Sequence, residues 1–157
     1  MQASFERGRR LALDVGRSRI GVAVCDPDGI LASPVKTINR ATQEQVTSEF
    51  KQLVADFEPT QIFIGLPRNL QNLETESTLD AIEVGGWMLA ITDAEVLFVD
   101  ERLTTVTAKQ AMRQAGRSEK SSRSVIDQQA ACIILETALQ SLKAGKPAGL
   151  RTEELGI

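Results

Sequence analysis

Short runs of consecutive apolar residues alternate along this chain with longer stretches in which apolar positions return every three or four residues. The first pattern is that of buried strands and the second that of amphipathic helices. Two runs, LAL at Leu11 to Leu13 and IGVAV at Ile20 to Val24, are joined by a polar bend and predict a hairpin of core strands with Asp14 at its tip. Alternation puts Asp14 on the face of Ala12, opposite Leu11 and Leu13. Gly16 gives freedom to the bend, and Gly21 lets another backbone or a phosphate come close.

A Pro-Asp-Gly turn at Pro27 to Gly29 leads into ILASPVKTI, a third strand that Pro34 marks as an edge or a bulge, so the chain starts as an antiparallel meander. Between Thr42 and Phe57, the spacing of Val46, Phe50, Leu53, Val54 and Phe57 predicts a helix, with Pro59 beyond its end. QIFIGLP is apolar on both faces and reads as a central strand. A helix is expected within Glu74 to Ile91, built on Leu79, Ile82, Trp87 and Leu89 to Ile91. VLFVDE, from Val96 to Glu101, is another doubly buried strand and ends in two carboxylates.

Thr104 or Thr105 can cap a helix over 106–115 that stops at Gly116. Gly116 to Arg123 reads as a flexible polar loop, Val125 to Leu142 as a long helix with Asp127 in its first turn, and the remainder as a mobile tail. The expected fold class is α/β: a mixed five-stranded sheet, an antiparallel meander plus parallel strands, with helices on both faces. Residues 1–10 are expected as a flexible N-terminus, 11–143 as the domain and 144–157 as a flexible tail. Ligands of such sheets gather at the carboxyl ends of the strands.

Composition narrows the chemistry by what it omits. The 157 residues contain no histidine and no tyrosine, which excludes a Ser-His-Asp triad, a histidine-ligated zinc site and a tyrosine nucleophile. Cys25 and Cys132 lie in apolar segments with no CxxC pair and read as buried free thiols. No apolar run approaches the roughly 20 residues that a membrane helix needs, and MQASFERGRR lacks the apolar stretch of a signal peptide, so a cytoplasmic protein with no membrane contact is expected. The net charge of −3 argues against nonspecific coating of nucleic acid, although Arg7, Arg9, Arg10, Arg17 and Arg19 crowd the sequence around Asp14.

Carboxylates with a hard cation are the economical chemistry that remains. Asp14 ends the first strand, Glu101 ends the last and Asp127 opens the last helix. Three gathered carboxylates repel one another unless divalent cations lie between them, and two such ions can activate water against a phosphodiester. Each acid also has a structural explanation: a turn aspartate, a partner for Arg102, or a favourable charge at a helix start. Arg117, Lys120 and Arg123 among serines make either a solvated linker or a grip on phosphate, and Arg68 and Asn69 would share the sheet end with the acids.

Taken together, LALDVGRSRIGVAV, IFIGLPRNL, VDERLTTVTAKQAM and SVIDQQAACIILETAL resemble the YqgF, or RuvX, family, whose members are Holliday-junction-resolvase-like proteins of RNase H-like fold. The resemblance runs from Leu11 to Leu142. It implies a Mg2+- or Mn2+-dependent nuclease of two-metal type, with Asp14, Glu101 and Asp127 as catalytic and metal-binding carboxylates. Arg17, Arg19, Arg68, Asn69, Arg102, Arg117, Lys120 and Arg123 would hold the nucleic acid. Trimming the 5′ end of the 16S ribosomal RNA precursor is the implied role. Resolution of four-way DNA junctions and noncatalytic RNA binding in ribosome assembly or transcription are the alternatives, and a monomer or weak homodimer is expected. The Asp-x-Gly-x-x-x-x-Gly of Asp14 to Gly21 also resembles a kinase phosphate loop, but the chain is too short for the second lobe such enzymes need. After GLPRN the family usually turns through Asp-Gly, where this chain has Leu70 to Glu74.

Overall fold

A computed structural model describes residues 5–67, 75–101 and 120–155. Its strands are β1 (Arg10–Val15), β2 (Arg19–Cys25), β3 (Ala32–Asn39), β4 (Gln61–Leu66) and β5 (Glu95–Asp100), and its helices are α1 (Gln43–Phe57), α2 (Glu76–Leu89) and α3 (Lys120–Lys143), with a 3-10 turn at Thr152–Leu155. They form one sheet in the order β3-β2-β1-β4-β5. β1, β2 and β3 pair antiparallel as the expected meander, and β1, β4 and β5 pair parallel.

The two faces of the sheet bury different side chains. Leu11, Leu13, Ile20, Ile62, Ile64 and Phe98 turn toward Val46, Phe50 and Leu53 of α1 and Ala81, Val84 and Met88 of α2. Ala12, Ala23, Phe63, Leu97 and Val99 turn toward Ala131, Ile134, Leu135 and Ala138 of α3. Helices therefore cover both faces, and β4, apolar and buried from Ile62 to Leu66, lies between them as its sequence requires.

The Thr42 hydroxyl caps α1 by accepting from the Gln45 N–H at 3.1 Å, and α1 ends at Glu58 in the left-handed region, φ +46°, its N–H donating to Val54 at 2.9 Å. A side chain there costs about 1–2 kcal/mol that glycine avoids, less the extra backbone entropy glycine loses on folding. Glu58→Gly is expected to stabilise the protein by about 0.5–1 kcal/mol, read as a higher urea midpoint at unchanged slope.

Four expectations change. The fully buried face of α2 is Thr78, Ala81, Val84, Gly85 and Met88; of the expected residues Ile82, Trp87 and Ile91 pack at its margin, while Leu79 and Leu89 are exposed. Gly85 belongs to that face because the helix comes down on Phe98, whose ring lies 2.5 Å from where a Cβ on Gly85 would sit. The last helix starts at Lys120 within the expected loop, so Asp127 lies about two turns inside it and not in its first turn. The C-terminal segment is docked and not loose: Phe98 and Leu150 exchange backbone bonds of 2.7 and 2.9 Å, Arg151 pairs with Glu95 at 2.6 Å, and Ala148 is buried. At the other end Arg10, 3% exposed, donates to Gln61 at 2.7 Å and to the carbonyls of Gly8 and Glu6, tying the N-terminal segment to the start of the sheet. The expected helix over 106–115 lies outside the described residues.

Candidate functional site

The site is set by two glycines that flank one aspartate. Asp14 pairs with Gly21 across the antiparallel ladder, and the parallel register that matches Leu13 with Ile64 brings Gly65 to its other side. Paired Cα atoms in a sheet lie about 5 Å apart. Since Ala12 packs under α3, alternation directs Asp14 to that same face.

Each glycine is bare because something occupies the place of its side chain. A Cβ on Gly21 would stand 2.0 Å from the Asp127 carbonyl oxygen and 2.9 Å from the Gln128 nitrogen, so α3 rests directly on β2 there. A Cβ on Gly65 would stand 2.7 Å from Oε1 of Glu101 and 2.6 Å from Cδ1 of Ile134, so the Glu101 carboxylate lies over β4. Asp14, Glu101 and Asp127 thus come from a strand end, the turn after another strand and a helix to one corner of one face. Asp100 pairs with Leu66 and by alternation belongs to the opposite face, so of the two adjacent acids it is Glu101 that joins the corner.

Further contacts fix α3 at this point. Oγ1 of Thr37 donates to the Ser124 carbonyl at 3.0 Å, and Nε2 of Gln128 donates to the same hydroxyl at 3.0 Å. Nε of Arg19 donates to Oδ2 of Asp127 at 2.7 Å. From the far side Arg40 holds the turn after Asp14: its Nη1 donates to the Gly16 carbonyl at 2.7 Å, its backbone N–H to the Ser18 carbonyl at 3.0 Å, and its guanidinium grips Asp80 of α2 with bonds of 2.7 and 2.9 Å. The Asp80 bonds raise the Arg40 pKa above its ordinary value. Thr37, Arg40 and Gly65 were not singled out from the sequence. A glycine inside the doubly apolar run QIFIGL was the available signal of close approach.

The expected cationic residues separate. Arg19 faces Asp127, and Arg17, exposed at the turn, stands 3.6 Å from Glu76, a contact worth little in solvent. Arg7, Arg9 and Arg10 lie at the other end of β1, where Arg7 pairs with Asp28 at 2.9 Å, so they do not surround Asp14. Lys120 and Arg123 are described only by backbone, in the first turn of α3, and Arg68, Asn69, Arg102 and Arg117 lie outside the described residues. Cys25 and Cys132 are both free thiols, Cys25 buried and Cys132 only half-buried, and burial pushes the Cys132 thiol up to about 11, which leaves it protonated and a poor nucleophile.

The donor set at the corner is all carboxylate, the set that magnesium or manganese favours over zinc. The place of the Gly65 side chain is taken by Oε1 of Glu101, an oxygen donor brought over the strand beside Asp14, so the residues fit a hard divalent cation. Among the described residues no group of three acidic or cysteine side chains is already drawn close enough to hold one. Nor is any described helix long and apolar enough to cross a membrane.

Known proteins resemble this chain over most of its length. The model of the RuvX family, described as Holliday junction resolvase, matches residues 8–141. A Streptomyces coelicolor protein named "Putative pre-16S rRNA nuclease" is 48% identical over 147 residues, covering 92% of this chain and 88% of its own. A Mycobacterium tuberculosis protein of that name is 44% identical over 134 residues, covering 85% of this chain and 79% of its own. Among solved structures, RuvC of T. thermophilus in complex with a Holliday junction substrate superposes with a TM-score of 0.57 at 14% identity, over 88% of this chain and 97% of that one. That likeness is one of fold: the sheet and helices are RNase H-like.

Proposed function

The chain belongs to the RuvX family of nucleases, and on that premise we propose that it trims the 5′ end of the 16S ribosomal RNA precursor by metal-dependent hydrolysis at Asp14, Glu101 and Asp127. The observation that carries the site is the pair of glycines beside Asp14, one capped by the backbone of Asp127 and the other by the carboxylate of Glu101. The substrate follows the name shared by the Streptomyces and Mycobacterium relatives.

Asp14, Glu101 and Asp127 would hold Mg2+ or Mn2+, which when bound would supply an activated water and offset charge on the phosphoryl oxygens. Around them the chain's own residues do the positioning. Asp14 reaches the corner at the end of a strand whose first four residues, Arg10 to Leu13, are buried, which fixes its backbone. Thr37, Gln128 and Gly21 keep Asp127 at a fixed height above the sheet. Arg40 holds the turn that follows Asp14. With no histidine or tyrosine in the chain, proton transfer at the scissile bond falls to carboxylates, lysines and water. The nuclease would act in the cytoplasm as a monomer or weak homodimer, and Arg17 with the basic residues near 68, 102 and 117–123 would hold the strand.

The test is cleavage of a labelled precursor 5′ leader RNA beside a four-way DNA junction, in Mg2+, in Mn2+ and in excess EDTA. Cutting of the RNA that EDTA abolishes is the expected result. Paired symmetric nicks in the junction with the RNA intact would replace this reading with the junction resolvase that the family's description names, and no cutting of either would leave a binding factor.

A further inference from the structure

Asp127 is already engaged. Oδ2 of Asp127 accepts from Nε of Arg19 at 2.7 Å, with the arginine side chain about one third exposed (35%) and the aspartate one fifth (21%). A partly buried, charge-assisted bond of that length is a stronger contact than an exposed pair. Asp127 cannot leave Arg19 by moving its backbone, because its carbonyl fills the space over Gly21 and the next residue is bonded to Thr37. Only rotation of its side chain can bring the carboxylate to an ion shared with Asp14.

We propose that Arg19 is the counter-ion that keeps Asp127 neutralised until a divalent cation takes its place, so that cation binding and opening of the Arg19–Asp127 bond are one event. The inference rests on the metal-dependent reading above. Geometry and charge both support it: Arg19 opens β2 on the same face as Gly21, where the backbone of Asp127 rests, and its Nε meets Oδ2 of Asp127 at 2.7 Å. A fixed positive charge beside the site also opposes a second cation by plain Coulomb repulsion. Arg19 is then a positioning residue and a competitor for the same carboxylate, in place of the strand contact expected from the sequence.

Mg2+ titration of the whole protein without nucleic acid tests this. In the wild type the Arg19 Nε–H resonance is expected to shift or vanish as Mg2+ saturates the site. Arg19→Gln is expected to bind Mg2+ about three- to tenfold more tightly, and Arg19→Lys, which keeps the charge, to stay near the wild type. Unfolding temperatures of both variants check that the fold is retained. Unchanged or weaker Mg2+ binding by folded Arg19→Gln would overturn the proposal and leave Arg19 as a support for Asp127. A wild type that binds no Mg2+ would bring down the metal-dependent reading itself, a separate failure.

Discussion

Replacing Asp14 with asparagine is expected to lower metal-dependent cleavage by about a thousandfold or more, some 4 kcal/mol of transition-state stabilisation. Asparagine has nearly the same shape, so β1 keeps its pairing with Gly21 and its place in the sheet. What is lost is one negative charge at the corner that Asp14 shares with Glu101 and Asp127, and cations held by carboxylates lose a large part of their attraction when one becomes neutral. Stability is expected to hold or to rise slightly, because a carboxylate beside that of Glu101 has become neutral. Single-turnover cleavage with saturating Mg2+, beside a thermal melt, separates the two effects. Full activity in the folded variant would remove Asp14 from the chemistry.

Gly21→Ala is expected to have the largest effect on the fold of any single methyl added to the sheet. Its Cβ would fall 2.0 Å from a backbone carbonyl oxygen, and a main-chain atom inside a 24-residue helix cannot step aside alone. α3 must lift away from β2, opening the layer packed on Ala12, Ala23 and Phe63. Overpacking of this kind costs about 3 kcal/mol, which for a domain of this size lowers the melting temperature by about 10 °C. Asp127 travels with the helix, so cleavage falls as well, even well below the melting temperature. Gly65→Ala meets only the ends of Glu101 and Ile134, which can swing aside, so it is expected to displace a carboxylate with a smaller loss of stability. Melting curves and cleavage rates for the two variants together tell a shifted helix from a shifted side chain.

How much of this was legible in the sequence depends on whether a residue's neighbours are local. The meander, β4 and α1 were readable because each carries its own signal: alternation, a doubly apolar run, or a helical stripe with a capping threonine. α2 was placed correctly and its face only in part: Ile82, Trp87 and Ile91 pack against the core as expected, whereas Leu79 and Leu89 are exposed and the close approach of Phe98 selects Gly85. The start of α3 was missed since Lys120 to Arg123 carry no apolar period in the sequence. The C-terminal segment, rich in glycine and proline, docks through an isolated backbone bridge, an ion pair and the burial of Ala148, contacts too scattered to leave a periodic pattern.

For the candidate site, three acids could be picked from 21 by their positions at element ends. The register that puts Asp14 between Gly21 and Gly65 could not be read in advance. It depends on how β4 lies against β1 after a crossover through α1, and that is decided by packing across the whole sheet.

The bridge between Leu150 and Phe98 bears on how molecules of this protein keep apart from one another. An open strand edge invites pairing with a neighbour, and growth from edge to edge ends in aggregates. Here the β5 edge is met by the chain's own C-terminal segment, fastened by Arg151 to Glu95. At the opposite edge β3 carries Pro34, which has no N–H to offer, with the ladder irregular between Val22 and Ala23. Both margins of the sheet are blunted, so solubility at high concentration depends in part on a stretch of chain remote from the acids.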